Sequence, residues 1–87
     1  MHQFLRDHVF ILPHAEDYRD VYTISLDEVV HTLNEPEVHE GLSDDRYTVE
    51  KTIGDRRIYL YYYQTFPMQG TQDELYAIVD FIGFTTA

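Results

Sequence analysis

The 87-residue chain has no cysteine and no tryptophan, only four glycines and three prolines, and six basic side chains against sixteen acidic ones. Without cysteine there are no disulfides, no thiolate-held zinc and no cysteine nucleophile. Small secreted domains ordinarily lean on disulfides, so their absence points to the cytoplasm. The N-terminus, Met1-His2-Gln3-Phe4-Leu5-Arg6-Asp7-His8, lacks the basic start and long apolar core of a signal peptide. No apolar run approaches the ~20 residues of a membrane helix. The shortage of cations leaves a formal net charge of −10, and such a surface repels nucleic acid at long range. It suits a basic protein partner, or imitation of a nucleic acid's own charge. Glycines are too few for a phosphate-cradling loop, and Gly54 and Gly70 read as turn residues. The five histidines, at positions 2, 8, 14, 31 and 39, make no HxxxH or HExxH spacing, so neither a metal nor a cofactor is expected.

What the chain does have is apolar and aromatic mass: 44% hydrophobic residues, with eight Tyr and five Phe. That is enough for one compact domain over residues 1–87, although a chain this short buries only about 60% of its unfolded surface. The tyrosine bias favours sheet, because Tyr tolerates a half-exposed strand face.

His8-Val9-Phe10-Ile11-Leu12 is a short apolar run read as a strand or extended arm, and Pro13 is suited to open a helix. Ala15, Tyr18 and Tyr22 then fall at helical spacing. Ser25-Leu26-Asp27-Glu28 predicts a capping box: the Ser25 hydroxyl accepts from the Glu28 N–H, and the Glu28 carboxylate accepts from the Ser25 N–H. Leu26, Val29, Val30 and Leu33 form one apolar stripe, and Asn34 and Pro36 end the helix. Glu37-Val38-His39-Glu40 reads as a short strand.

From there the period becomes two. Tyr47, Val49 and Ile53 alternate with Thr48, Glu50 and Thr52, and Gly54-Asp55 offers a turn. Ile58, Leu60, Tyr62 and Phe66 share one face of the next strand, with Tyr59, Tyr61, Tyr63 and Thr65 on the other. Residues 67–73 read as a polar loop. In the last strand, Leu75, Ala77, Val79 and Phe81 alternate with Tyr76, Ile78, Asp80, Ile82 and Phe84. The expectation is an α+β fold, with a short N-terminal segment and two helices packed on a curled three- to four-stranded antiparallel sheet.

The order His14-Ala15, Arg19, Ile24-Ser25-x-x-Glu28-Val29, Asn34-Glu35-Pro36-Glu37, Arg46, Arg57-Ile58-x-Leu60 and Ile78-Val79 resembles the domain-of-unknown-function 4258 group over roughly residues 14–84. That group is similar in fold to the BrnT toxins, small ribonucleases of the RelE-like class that pair with antitoxins. The resemblance implies a toxin-like protein, a metal-independent RNA endonuclease or its inactive relative. RNA would be its substrate and an antitoxin-like protein its partner, with His14, Arg19, Arg46 and Arg57 as the catalytic set.

The residues themselves carry two readings. Arg46, Lys51, Arg56 and Arg57 either grip a phosphate or pair with the nearby Asp44, Asp45, Glu50 and Asp55 as ordinary surface ion pairs. His14, with Arg19 on about the same helical side and Arg46 brought near by the fold, suits general acid–base work. Equally it suits a structural place at a helix start. The Tyr59-Tyr61-Tyr63 stripe either stacks bases or packs on a helix or partner. The acidic tracts, Glu16, Asp17 and Asp20 and then Glu35, Glu37, Glu40, Asp44 and Asp45, are a solvated face, a phosphate-like surface that inhibits a nucleic-acid-binding protein, or a dock for a basic partner. The second functional expectation is therefore a non-catalytic acidic binding protein or inhibitor. A homodimer through sheet edges or helix faces is also compatible with the pattern.

Overall fold

Two helices pack against a five-stranded sheet in the structure, a computed structural model that describes residues 4–43, 45–65 and 75–86. A 3-10 turn at Arg6–His8 leads into β1 (Val9–Ile11), then α1 (Pro13–Tyr22) and α2 (Leu26–Asn34). Four strands follow: β2 (Val38–Ser43), β3 (Arg46–Ile53), β4 (Arg56–Thr65) and β5 (Tyr76–Thr86). The class is α+β, as the sequence implied. The strand count and pairing differ from expectation. The sheet order is β1-β5-β4-β3-β2, and β1 pairs parallel with β5 through Val9–Ala77, Phe10–Ile78 and Ile11–Val79. The apolar arm is thus a fifth strand and makes the sheet mixed. Periodicity within nine residues cannot report a partner lying some seventy positions away.

The local signals act as written. Pro13 lies at the first helical position, where its missing N–H costs nothing. The capping box is formed in both directions, 3.1 Å from the Glu28 N–H to the Ser25 hydroxyl and 2.9 Å from the Ser25 N–H to Glu28. Thr23 closes α1 in the left-handed region at φ 54°. A β-branched residue rarely adopts that conformation, so the turn is held from outside. Arg19 donates to the Ile24 carbonyl at 3.2 Å, and Arg56 to those of Tyr22 and Thr23 at 3.3 and 3.0 Å.

Val29 and Leu33 of α2 pack with Val49, Ile58, Leu60, Tyr62, Ala77, Val79 and Ile82 on the inner sheet face. Burying each large apolar side chain contributes roughly 1.5–3 kcal/mol. One phase differs from simple alternation. Tyr61 is registered with Phe81 but Tyr62 with Val79, so Asp80 is an extra residue in β5. This bulge turns Ile82 inward to full burial and leaves Phe81 41% exposed, whereas unbroken alternation would put Phe81 beside Val79. The expected Phe66 position, the loop at 67–73 and Asp44 lie outside the described residues.

Candidate functional site

The four expected catalytic residues divide between two corners and one outer surface. His14 stands at the start of α1, beside the β5 bulge. Its Nε2 is 2.5 Å from the Asp80 carboxylate and 2.6 Å from the Asp80 carbonyl. Arg46 opens β3 on the outer sheet face. Its guanidinium reaches the Tyr61 hydroxyl at 3.4 Å, and its pKa is raised, first by that contact and more weakly by Asp45 and Asp80. Asp80 thus bonds His14 and acts on Arg46 only through its charge, with no ion pair between them.

Arg19 and Arg57 lie elsewhere. Five residues at 100° each place Arg19 about 140° around the helix from His14, not on its side. It is held by Glu16 at 2.6 Å and the Ile24 carbonyl. Arg57 sits six residues before Tyr63, the β4 partner of Arg46, about 20 Å along the sheet. Glu37, Glu50 and Thr52 surround it at 3.0, 3.2 and 2.8 Å. The Glu37 carboxylate is correspondingly held below its ordinary range, first by the Thr52 N–H and then by Arg57.

The other cations are also engaged within the chain. Arg56 bonds the half-buried Glu28 carboxylate, and Arg6 pairs with Asp27 at 3.0 Å. Lys51 donates to the Glu35 carbonyl at 2.7 Å. Among the described residues, Arg46 is the one arginine with no carboxylate within ion-pair distance. The partners of Arg56 and Arg57 are mostly Glu28 and Glu37, which the fold imports from the helical half. Neighbours in sequence supply only Glu50 and Thr52.

Charge is unevenly spread. Over residues 5–37, Asp7, Glu16, Asp17, Asp20, Asp27, Glu28, Glu35 and Glu37 face only Arg6 and Arg19. Strand alternation and register place Arg46 and Arg57 on the outer sheet face with Glu40, Glu50 and Asp80, and Glu37 reaches Arg57 there, a smaller acidic excess than over residues 5–37. That face carries Tyr59, Tyr61, Tyr63 and Ile78; α2 packs behind it, and α1 lies along β5. At its β5 margin Phe81 packs edge-on against Tyr18 of α1 and Tyr59, with ring centroids 5.4 and 6.1 Å apart.

A separate cleft of about 660 Å³ opens on the helical side between Phe4, Leu33, Asn34, His39, Tyr47 and Tyr62. Sequence reading did not find it, because its walls come from four distant segments. Asn34 anchors one wall through two hydrogen bonds to the Phe4 backbone, at 2.7 and 2.9 Å. His39, Tyr47 and Tyr62 stack in series. Burial, with Tyr47 alongside, pushes the Tyr62 hydroxyl up to about 12. None of the four expected catalytic residues lines this cleft.

No family model, curated protein or solved structure matches this chain.

The site is read from its own chemistry. Among the described residues no three His, Asp or Glu side chains gather as a metal-ligand set, and no helix is long and apolar enough to cross a membrane.

Proposed function

We propose that this chain is a non-catalytic acidic binding protein whose helical side docks on a basic protein. The observation that carries this reading is the division of charge. Carboxylates outnumber arginines eight to two over residues 5–37, while Arg19, Arg56 and Arg57 are spent on the chain's own carboxylates and carbonyls. A cation already paired is a poor phosphate grip, and exposed carboxylates raise the encounter rate with a basic surface. Asp17 and Asp20, and Asp27 beside its exposed partner Arg6, stand at exposed positions on the two helices and supply the negative points that such a partner meets.

The test uses a defined basic probe, a lysine- and arginine-rich histone-type peptide, titrated by calorimetry at low and high salt. Binding should weaken steeply with salt, and the triple variant Asp17→Asn, Asp20→Asn, Asp27→Asn should weaken it at least about tenfold. Salt-insensitive binding, or a triple variant that binds like the wild type, sinks the reading.

A second reading follows the family resemblance, and one specific observation favours it. His14 and Arg46 both neighbour Asp80 beside Tyr61. Metal-free RNA cleavage needs a base for the 2′-hydroxyl and a cation on the phosphate, and His14 and Arg46 are of those two types. This reading predicts that inducing the wild-type chain in a bacterial host stops growth and fragments RNA. Arg46→Ala should then abolish both effects while melting like the wild type. Intact RNA and unchanged growth with both chains leave only the binding reading.

A further inference from the structure

We propose that the outer face of the sheet is a self-association surface, on which a second copy of this chain packs face to face about a two-fold axis. Three observations converge on a second copy as the occupant. The first is the exposure of the face: α2 packs behind it and α1 meets it at the β5 margin, leaving Phe10 48% and Phe81 41% exposed beside the tyrosine stripe, with Tyr18 of α1 40% exposed at that margin. Exposed aromatic groupings on a small domain mark an interaction surface.

The second is charge. Two copies of a chain at −10 repel, so any pairing must use the region where the excess is smallest. The outer face, with Arg46 and Arg57 beside Glu37, Glu40, Glu50 and Asp80, carries a smaller excess than residues 5–37 and is that region. The third is self-complementarity. Among the described residues no carboxylate lies within ion-pair distance of Arg46, whereas Asp80, which bonds His14, lies on the same face and remains 39% exposed. An isologous contact presents each group to its counterpart on the other copy, so that Arg46 meets the second copy's Asp80 twice over.

The dimensions set the strength. Strands β3, β4, β5 and β1 at ~4.8 Å spacing, over about seven residues at ~3.3 Å each, give a footprint on the order of 450 Å² per copy. Two such footprints, roughly 900 Å², fall at the low end for specific interfaces, so the expected dimer dissociates in the micromolar range. This proposal does not depend on what the helical side binds. The two also respond oppositely to salt: docking of a basic protein weakens, whereas pairing of two acidic copies through an aromatic face strengthens as repulsion is screened.

Analytical ultracentrifugation of the full chain, from about 1 to about 500 μM, at about 50 and 500 mM NaCl, tests this. The expected result is a reversible monomer–dimer equilibrium that tightens with salt. Phe10→Glu and Arg46→Asp should each raise the dissociation constant at least about tenfold, with far-UV circular dichroism confirming the fold. The double variant Arg46→Asp, Asp80→Arg should restore most of the loss, which a merely misfolded surface would not do. A chain monomeric at every concentration and salt overturns the proposal. So does a dimer indifferent to both single variants. A monomer whose tyrosine fluorescence is quenched by an oligouridine probe overturns it in favour of a nucleic-acid stacking face.

Discussion

Glu28 shows how much one side chain can be asked to do in a small domain. It closes the capping box on Ser25 and receives Arg56, which also bonds the last carbonyls of α1. Burial works against its charged form, but the Ser25 N–H and the Arg56 guanidinium outweigh that and hold its pKa below the ordinary 4.5. A carboxylate depressed by folding contributes stability that is complete above its unfolded value and is lost as pH falls through the folded one. Thermal melts should therefore show stability falling below about pH 4.5, and Glu28→Gln should flatten that acid limb while lowering the melting temperature at pH 7. Ser25→Ala should cost about 1 kcal/mol through the lost cap alone. The capping role was legible in the spacing Ser25-x-x-Glu28. The second role was not, since Arg56 is twenty-eight positions away and reaches Glu28 only when β4 lies under α2.

At the scale of the element, β5 carries the most instructive departure. Ala77 and Val79 face the helices as alternation predicts, and the extra residue Asp80 then shifts the phase. The bulge has two consequences: Ile82 enters the core, and the Asp80 carboxylate meets His14 at the start of α1. Ile82→Ala should therefore cost about 2–5 kcal/mol in chemical denaturation, by cavity formation. Phe81→Ala should cost clearly less, because its ring is partly in water. The reverse ranking would restore simple alternation and remove the bulge. A bulge leaves no mark in composition. Both Phe81 and Ile82 are acceptable core residues, so only pairing with β4 discriminates between them. β1 teaches the same lesson: its apolar run was visible, but its parallel pairing with β5 was decided by where the last strand ends up.

Taken as a whole, the molecule carries its largest acidic excess over residues 5–37 and a tyrosine stripe on the outer face of the sheet. A net −10 on a domain this small destabilises the compact state through self-repulsion. Raising ionic strength from about 20 mM to about 500 mM NaCl should thus raise the melting temperature by several degrees, a direction that a chain held mainly by surface ion pairs would reverse. Pairing of Arg6, Arg19, Arg56 and Arg57 with carboxylates reduces local repulsion but leaves the excess at Asp17, Asp20 and neighbouring acids. These residues are where a basic partner would act.

The sequence by itself determined the α+β class, both helices with their starts, the Gly54 turn and the common face of Ile58, Leu60 and Tyr62, though not that this face points inward. Each depends on neighbours within one or two turns or strand steps. It also determined the acidity, which is a property of composition. Tertiary structure alone decided what each of the expected catalytic residues meets. His14 bonds Asp80 because α1 abuts the β5 bulge, while Arg46 reaches the Tyr61 hydroxyl. Arg19 and Arg57 are consumed elsewhere because carboxylates and carbonyls from other segments reach them first. A side chain's type is written locally, but its partner is chosen by packing between segments far apart in the chain.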